Sequence, residues 1–372
     1  MGKRKYRFEQ IAINCTQKKL PTEEDYAGYI GLEHLESGSL NVTRFGSQVP
    51  LKGEKLVMHK GDVLFGKRNA YLRRAAVCPH DGIFSAHGMV LQPREDVIDK
   101  SFFPLFISSD YFFDEVIRIS VGSLSPTVNW KDLKDVEFDL PDLEEQKKLA
   151  EVLWSINDVL EAYRRLISTT DSLVKSQFIE MFGNPITNDK HWKTQMLKDV
   201  APECSPNIPQ EDKYWWLNLD AIESNSGRLI EKVIVSGKEI GASTSRFDDT
   251  MVLYSKLRPY LNKVMIPDGY GYSTSELVGL KPNENILRKE FLFNILRGDE
   301  FVAYANSFSI GGQMPRMPMK KLREFLCVLP PIELQDKFIS FSKQVDKSKF
   351  EIEKALNELK NLYQMIIKQG IC

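Results

Sequence analysis

The sequence contains one pattern twice, at a constant spacing. Leu140-Pro141 recurs as Leu329-Pro330, and Gln146 recurs as Gln335. The segment SVGSLSPTVNW recurs in the same register as SIGGQMPRMPM, with glycine at 122 and 311 and proline at 126 and 315. Solenoid repeats are only about 20–45 residues long, so this far longer period is that of a whole domain. The sequence therefore predicts two copies of one domain with its connecting segment, that is, an internal pseudo-dimer.

Each copy alternates short β-like runs with turns marked by glycine and proline. The runs include DVLFGK and GMVLQP within residues 1–140, and TMVLYSK and ELVGLKP within residues 186–328. Helical patterns accompany them, FFPLFISSDYFFDEVIRI in the first copy and EFLFNILRGDEFVAYAN in the second. These patterns predict two similar mixed α/β domains of about 140 residues each, close to the commonest domain size.

A heptad pattern follows each domain, in residues 141–185 and again in residues 329–372. Its apolar seam positions are Leu149, Leu153, Ile156, Leu160, Tyr163 and Ile167 in the first segment, and Val345, Ile352, Leu356, Leu359 and Tyr363 in the second. Lys349 and Ser342 interrupt the second stripe. Stripes with this spacing, uninterrupted by glycine or proline for about 35 residues, are typical of long helices that pair through an apolar seam.

The order of the segments along the chain favours an antiparallel pair of helices. The first helix is expected to end near Gly183 and Pro185, after which the chain builds the second domain. Parallel helices would crowd both domains at one end, whereas antiparallel helices place them at opposite ends. The predicted fold is therefore α+β, with two mixed α/β domains separated by an antiparallel coiled coil and related by a pseudo-two-fold axis.

The stretch GDVLFGKRN, from Gly61, is close to GxxxxGK[ST], the phosphate-binding loop of many nucleotide hydrolases. Arg68 stands where that motif needs a magnesium-binding hydroxyl group. The second copy, TMVLYSKLR, replaces both glycines by Thr250 and Ser255 but keeps the lysine, with Lys256 in place of Lys67. Because a phosphate-binding loop could not lose its glycines, we interpret the stretch as a strand followed by a basic loop.

The composition argues against several classes of protein. A formal net charge of −1 means that any contact with nucleic acid must come from local basic patches. There is no run of about 18 apolar residues, and the start MGKRKYRFEQ lacks the apolar core of a signal peptide, which favours the cytoplasm and no membrane contact. The five cysteines are scattered without a CxxC pair, which argues against a disulfide framework and a zinc site.

Two matched domains at a fixed separation suit a protein that reads two half-sites on double-stranded DNA. A helix of about 35 residues spans on the order of 50 Å. That length corresponds to roughly 15 base pairs at about 3.4 Å each. Because the two copies differ in their side chains, the two half-sites are expected to differ in sequence.

Basic and amide side chains occur at equivalent places in KRNAYLRR and SKLRPYLNK, and again in the loop before the second Leu-Pro, whereas the loop before the first Leu-Pro has little charge. The candidate DNA-binding residues are Lys67, Arg68, Asn69, Arg73 and Arg74 in the first copy, and Lys256, Arg258, Asn262, Lys263, Gln313 and Arg316 in the second. Arginine and glutamine suit base edges, whereas lysine mostly contacts phosphate. The alternative is a solvated basic face, and the recurrence of the first patch in both copies favours DNA contact.

Several segments resemble one known family. LPDLEEQKKLAEVLWSINDVLEAYRRLI and LPPIELQDKFISFSKQVDKSKFEIEKALNELKNLY are similar to the two helical regions of type I restriction-modification specificity (S) subunits. YSKLRPYLNK and YSTSELVGLKP resemble recurring phrases of that family's target-recognition domains. The resemblance extends over nearly the whole chain and includes its duplicated layout. One departure is Leu334, before Gln335, where the first copy has the more typical Glu145 before Gln146.

The resemblance implies that each domain reads one half of a bipartite, asymmetric DNA site. The helices would space the domains and dock two methyltransferase (M) subunits, and restriction (R) subunits would join them. The S subunit would carry no catalysis and no cofactor, since S-adenosylmethionine, ATP and Mg²⁺ are expected only in the partner subunits.

The sequence also lacks the usual motifs of such catalysis. It has no glycine-rich cofactor loop and no [DN]PP[YF] motif for methylation of adenine. PDLEEQK, from Pro141, contains a nuclease-like PD and ExK, but only two residues separate Asp142 from Glu145, too few for a metal site on separate strands. Two alternatives stay open: a specificity subunit of a related system with a fused methyltransferase-nuclease partner, and a coiled-coil scaffold that joins two protein-binding modules.

Overall fold

The computed structural model describes residues 3–371, which form two compact units. Unit 1 contains the chain up to Leu166 and again from Ile352 onward, whereas unit 2 contains Ile167–Glu351. Two helices of 40 residues each contribute residues to both units. The predicted segment boundaries at 140, 185 and 328, and the predicted two-fold relation between the halves, stay predictions.

The first copy of the repeat ends in the long helix α5. Its strands are β1 (Arg4–Arg7), β2 (Ala12–Cys15), β3 (Lys18–Lys19), β4 (Tyr29–Ile30), β5 (Lys55–Met58), β6 (Val63–Phe65), β7 (Ala75–Val77), β8 (Gly82–Phe84), β9 (Met89–Pro93) and β10 (Glu137–Leu140). Its helices are α1 (Phe8–Ile11), α2 (Phe102–Ile107), α3 (Asp110–Ile119), α4 (Trp130–Leu133) and α5 (Leu143–Phe182). Short 3-10 turns occupy Glu23–Asp25, Leu32–His34 and Ala70–Leu72.

The second copy ends in the long helix α10. Its strands are β11 (Lys193–Met196), β12 (Lys213–Leu217), β13 (Val233–Ser236), β14 (Thr244–Phe247), β15 (Val252–Ser255), β16 (Val264–Met265), β17 (Gly271–Thr274), β18 (Leu277–Leu280) and β19 (Leu326–Leu329). Its helices are α6 (Leu197–Val200), α7 (Lys289–Arg297), α8 (Asp299–Phe308), α9 (Met319–Arg323) and α10 (Ile332–Ile371). Short 3-10 turns occupy Leu219–Ala221, Gly237–Glu239 and Pro259–Leu261.

The two units have matching sheets. In unit 1, one sheet has the order β2-β9-β6-β7 and another the order β3-β5-β8-β4, in which β4 and β8 run parallel. In unit 2, the corresponding orders are β16-β15-β18 and β13-β12-β17-β14, in which β12 and β17 run parallel. The sheets differ at their edges, since β3 extends unit 1 beside β5 and β13 extends unit 2 beside β12. These matches confirm the prediction of two similar mixed α/β domains.

Each predicted helical pattern is divided into two helices at the same place. Ser109 separates α2 from α3, and its hydroxyl oxygen accepts a hydrogen bond from Phe112 N at 3.2 Å, as an N-cap does. In the second copy Gly298, at the equivalent position, separates α7 from α8. After the break, α3 and α8 contact the same sheet as α2 and α7, since Phe112 packs on Phe65 of β6 and Phe301 packs on Tyr254 of β15.

The core of unit 1 is built mainly from phenylalanines. The rings of Phe8, Phe106 and Phe112 lie around Phe138 of β10, with centroids 5.2–5.9 Å from it. In unit 2 a phenylalanine cluster at other positions of the repeat joins Phe291 of α7 to Phe178 and Phe182 of α5. A fully buried phenylalanine contributes roughly 1.5–3 kcal/mol. These rings therefore supply much of the stability of each unit.

A buried glutamine fixes the start of α5 in unit 1. Gln146 is fully buried, and its Oε1 accepts a hydrogen bond from Asp99 N at 2.8 Å. Its Nε2 donates to Val97 O at 3.1 Å and to Pro141 O at 2.8 Å. One amide thus satisfies three backbone groups, which join the segment before α2 to the turn between β10 and α5.

The same arrangement recurs at the start of α10 in unit 2. Gln335 Oε1 accepts from Arg288 N at 2.9 Å, and Nε2 donates to Ile286 O at 3.0 Å and Pro330 O at 2.9 Å. All three partners occupy the positions equivalent to the partners of Gln146 in the register of the repeat. Leu334, which replaces the glutamate of the first copy, packs against the core of unit 2 without disturbing this arrangement.

The long helices pair in antiparallel orientation within unit 1. Near the start of α5, Leu149 lies against Gly370, whose added Cβ atom would come within 2.7 Å of Leu149 Cδ1. Further along α5, Ile156 lines a shallow groove together with Leu359 of α10. Leu153 is fully buried in the same apolar cluster as Tyr363. Later residues of α5 therefore lie beside earlier residues of α10, so the two helices run in opposite directions.

The helices also run antiparallel within unit 2. Phe178 of α5 packs on Phe338 of α10 with ring centroids 5.3 Å apart, and Lys349 Nζ lies 2.7 and 2.8 Å from the carboxylate oxygens of Asp171. Lys349 interrupts the apolar stripe in the sequence. Its partner in the other helix explains the interruption, because the pair fixes which residues face each other.

Residues 3–371 contain free cysteines, but no cluster that could hold a metal ion and no helix that could cross a membrane. Cys15, Cys78, Cys204 and Cys327 are free thiols, and Cys372 lies outside the described residues. Within residues 3–371, no group of three or more His, Cys, Asp or Glu side chains could hold a metal ion. No helix in that range is both long and apolar enough to cross a membrane.

We expect Gln146→Leu to lower the free energy of unfolding by about 3 kcal/mol, because it leaves three buried or partly buried backbone groups without their partner. Chemical unfolding of the full chain, followed by circular dichroism, measures the change. Gln344→Leu is the control, since Gln344 is exposed on α10. That variant should stay within about 0.5 kcal/mol of the wild type. Equal stability of the two variants would contradict the role of Gln146.

Candidate nucleic-acid interface

In unit 1 the basic loop and a glycine hairpin form one backbone platform. We call residues 67–74 basic loop 1 and residues 121–127 hairpin 1. Asn69 N donates to Pro126 O at 2.7 Å, and Val128 N donates to Lys67 O at 3.0 Å. Val121 and Thr127 close the hairpin with bonds of 3.1 and 2.9 Å. The predicted buried strand at 63–65 is present as β6 and leads directly into basic loop 1.

Unit 2 repeats this platform with different side chains. We call residues 256–263 basic loop 2 and residues 310–316 hairpin 2. Arg258 N donates to Pro315 O at 2.7 Å, and Met317 N donates to Lys256 O at 2.9 Å. Ile310 and Arg316 close the hairpin with bonds of 3.0 and 2.9 Å. Each of these bonds has a counterpart of nearly the same length in unit 1, so the backbone alone fixes the platform.

Left-handed backbone conformations occur at equivalent positions of both platforms. Gly122 has φ 115° and Gly311 has φ 116°, values that strain any other residue. Asn69 and Arg258, which begin the two 3-10 turns, have φ 55° and 49°. An arginine in this conformation is uncommon, and two backbone bonds of the platform hold it there.

Apolar side chains project from both platforms into solvent. Tyr71 is 55% exposed and Tyr260, at the equivalent position, is 50% exposed. At the base of the hairpins Val121 is 69% and Ile310 is 72% exposed, and Leu124 at the tip of hairpin 1 is 95% exposed. Several large apolar side chains exposed in one loop region are more typical of an interaction site than of an ordinary solvated surface. Beside basic residues, they suit van der Waals contact with bases and sugars.

The basic side chains of unit 1 differ in their availability. Arg68 is exposed, and its Nη2 lies 3.3 Å from Ser125 Oγ of hairpin 1. Lys67 is partly buried, and burial, followed by the charge of Lys18, lowers its pKa. Arg74 is also partly buried, and Gly66 N donates to its carbonyl oxygen at 2.9 Å. An anion bound to Lys67 would offset the cost of keeping that lysine charged.

Arg73 is already engaged within unit 1. Its guanidinium pairs with Asp110 and Asp114 of α3, at 2.8 Å in the case of Asp114. Arg73 also has φ 48° and ends the 3-10 turn of basic loop 1. The described contacts therefore direct Arg73 toward α3. Its predicted contact with DNA stays a prediction.

Two predicted residues of unit 2 are also engaged in the domain. Asn262 is buried, and its Nδ2 donates to Arg297 O at 3.0 Å. Lys263 Nζ donates to Leu219 O at 2.7 Å, and burial lowers its pKa. Both side chains hold basic loop 2 to neighbouring segments, and their contact with DNA stays a prediction.

The other predicted residues of unit 2 lie together at the platform. Gln313 is exposed, and Arg258 Nη2 lies 3.4 Å from its carbonyl oxygen. Arg316 Nη2 lies 2.8 Å from Glu276 Oε1, and Lys256 Nζ lies 4.0 Å from Glu276 Oε2. The hydrogen bond and charge of Glu276 raise the pKa of Arg316. The platform of unit 2 thus has the carboxylate of Glu276 beside the cations Arg316 and Lys256.

Glu276, Asp110 and Asp114 were missed by the sequence analysis. They lie 37 to 41 residues away from their basic partners in the chain. One signal was available for Glu276. It occupies the position equivalent to His87 in the register of the repeat. The second copy therefore has a carboxylate where the first has a histidine, whereas the lysine is kept as Lys67 and Lys256.

The sequence is similar to one known family of proteins. A family model described as the type I restriction modification DNA specificity domain matches the chain twice, over residues 14–168 and 154–361. The type I restriction enzyme EcoDI specificity subunit of Escherichia coli is 22% identical over 316 residues, which cover 72% of this chain and 70% of that protein.

Solved structures share the fold. The S subunit of a type I restriction-modification system from M. genitalium aligns over 100% of this chain and 96% of its own, with TM-score 0.53 and 13% identity. A chain solved in a study of complex assembly and conformational transition of the type I R-M system aligns over 100% and 97%, with TM-score 0.54 and 18% identity. At these identities the likeness concerns the fold alone.

We expect Arg73→Ala to destabilise unit 1 by about 1 kcal/mol, because two carboxylates of α3 lose their shared partner. Thermal unfolding of the full chain measures this effect. Arg68→Ala is the matched control in the same loop, and its exposed side chain should contribute less than about 0.5 kcal/mol. If Arg73→Ala leaves the unfolding temperature unchanged, the pairing with α3 is not structural.

Proposed function

The chain belongs to the family of type I restriction-modification DNA specificity subunits, and from that premise we propose that each unit reads one half of a bipartite, asymmetric DNA site. The observation that carries this proposal is the pair of platforms. They share the same set of backbone hydrogen bonds but present different side chains. Two platforms with the same backbone structure but different side chains suit two half-sites that differ in sequence.

The side chains of each platform divide into two roles. Lys67 and Arg68 in unit 1, and Lys256 and Arg258 in unit 2, lie beside hairpins whose apolar side chains are exposed. Cations at such a surface neutralise phosphates and fix the register of the protein on the duplex. Side chains of the hairpins, among them Gln313 and Arg316, are placed to contact base edges.

The long helices supply spacing and docking in this proposal. Val152, Val159 and Leu166 recur every seven residues along α5 and are 51%, 43% and 45% exposed. This stripe borders the apolar seam, since Val152 and Val159 line the same shallow groove as Ile156 and Leu359. It gives a second heptad face, which suits a helix of another subunit. We propose that methyltransferase subunits, two per complex, dock on the helices, and that restriction subunits join them.

Catalysis belongs to those partners in this proposal. The chain itself would act without catalytic residues or cofactor, in the cytoplasm, where the DNA of a bacterial or archaeal cell lies. S-adenosylmethionine, ATP and Mg²⁺ would be bound by the methyltransferase and restriction subunits. The platforms support this division, since the contacts that they offer are those of binding and positioning.

We expect Lys67→Ala, Lys256→Ala and Arg258→Ala each to weaken DNA binding roughly tenfold, because each removes one phosphate contact. The slope of log K against log salt should become shallower by about 0.9 per residue. Fluorescence anisotropy with the assembled methyltransferase complex, at several salt concentrations, measures both changes. Lys193→Ala, on exposed β11, is the control. Unchanged slopes in all three variants would refute DNA contact by the basic loops.

We expect Val159→Asp to abolish assembly with the methyltransferase subunit, because it places a charge in the centre of the exposed stripe. Size-exclusion chromatography with light scattering shows whether the complex forms. Asp158→Ala, on the neighbouring exposed position, is the control and should assemble normally. Both variants should unfold near the wild-type temperature, since Asp158 is exposed and Val159 is 43% exposed. Normal assembly of Val159→Asp would place the docking surface elsewhere.

A further inference from the structure

Arg316 is held by a single carboxylate at the platform of unit 2. Its Nε donates to Glu276 Oε1 at 2.9 Å, and its Nη2 lies 2.8 Å from the same oxygen. Its Nη1 makes a longer contact with Met314 O, at 3.3 Å. A guanidinium has five N–H groups. The two hydrogen bonds use the N–H of Nε and one N–H of Nη1, and Nη2 pairs with the carboxylate, so that both terminal nitrogens keep N–H groups for a ligand.

Both partners of this pair are fixed by the backbone. Arg316 exchanges two hydrogen bonds with Ile310, at 3.0 and 2.9 Å, across hairpin 2. Lys256 N donates to Glu276 O at 3.1 Å, which ties the carboxylate residue to basic loop 2. Glu276 Oε2 is buried and accepts no hydrogen bond from the described residues. The guanidinium is therefore oriented before any ligand arrives.

Unit 1 shows that the platform does not need this pair. Thr127 occupies the position equivalent to Arg316, and His87 the position equivalent to Glu276. Hairpin 1 is nevertheless closed by the same two backbone bonds, of 3.1 and 2.9 Å against 3.0 and 2.9 Å in hairpin 2. The pair is also partly exposed, 45% at Arg316 and 24% at Glu276, and a surface ion pair contributes little to stability. The Arg316–Glu276 pair in unit 2 is therefore not explained by folding alone.

The free end of Arg316 has the donor pattern that fits guanine. Guanine presents two acceptors, O6 and N7, in the major groove, and a bidentate arginine is their commonest protein partner. A carboxylate that holds the other edge of the guanidinium reduces the entropy lost on binding. Glu276 carries no donor, so it also disfavours acceptors that approach from its side.

We propose that Arg316 reads a guanine in the half-site recognised by unit 2, and that Glu276 is its positioning residue. This inference rests on the proposed function. Unit 1, with Thr127 at the equivalent position, reads its half-site without such an arginine. The half-site of unit 2 therefore requires a guanine at a position where the half-site of unit 1 has no such requirement.

The test maps methylated bases in DNA modified by the assembled methyltransferase complex. The wild type should require a G·C pair at one position of one half-site. Arg316→Ala and Arg316→Lys should relax that position alone, by roughly tenfold or more in discrimination, and leave the other half-site unchanged. Glu276→Gln should relax the same position less. Asp336→Asn is the matched control, because Asp336 holds Arg288 through the same edge, at 2.8 and 2.9 Å, in the same unit.

A second measurement covers the case in which the Arg316 variants lose activity. A duplex with 7-deazaguanine at that position lacks the N7 acceptor. It should bind the wild type several-fold more weakly than guanine does, and should bind Arg316→Ala as well as guanine does. Equal binding of both duplexes by the wild type, or unchanged base preference in Arg316→Ala, would overturn the inference. A wild-type complex without any sequence preference would instead refute the proposed function.

Discussion

The three hydrogen bonds of Gln146, repeated at Gln335, join the domains to the helices. Each amide bonds the segment before a domain's helices to the Leu-Pro turn from which a long helix starts. Because the amide is buried, any rotation of the helix would leave backbone groups unpaired at a cost of about 1–3 kcal/mol each. The direction in which each long helix leaves its domain is thereby fixed, and the seam and the exposed stripe depend on that direction.

The architecture could be predicted because its signals are local or repeated. Heptad spacing marked α5 and α10, and recurring glycines and prolines marked the turns of the platforms. The breaks at Ser109 and Gly298 were not predicted, because the apolar spacing on either side continues through them. Whether a helix turns at such a point depends on the sheet against which it packs. That information lies far away in the sequence.

The candidate site could be located from the sequence but not resolved residue by residue. Both basic loops lie where the repeat placed them. The state of each side chain, however, depends on distant partners: Arg73 pairs with α3, Lys263 bonds to Leu219, and Arg316 pairs with Glu276. A charge count along the chain cannot separate a cation that is free for a ligand from one already neutralised. Only the comparison of His87 with Glu276, at equivalent positions, carried part of that information.

The contribution of α10 to unit 1 has a consequence for the order of folding during synthesis. Tyr363 and Ile367 are buried in the core of unit 1, and Gly370 lies against Leu149. Unit 2 is contiguous in the chain, whereas unit 1 needs residues of α10 that are synthesised after all of unit 2. Unit 1, although translated first, must wait for the residues that follow. Until that segment of α10 is made, the apolar face of α5 in unit 1 lacks the partner that Tyr363 and Ile367 provide in the folded chain, and apolar surface exposed in this way favours aggregation.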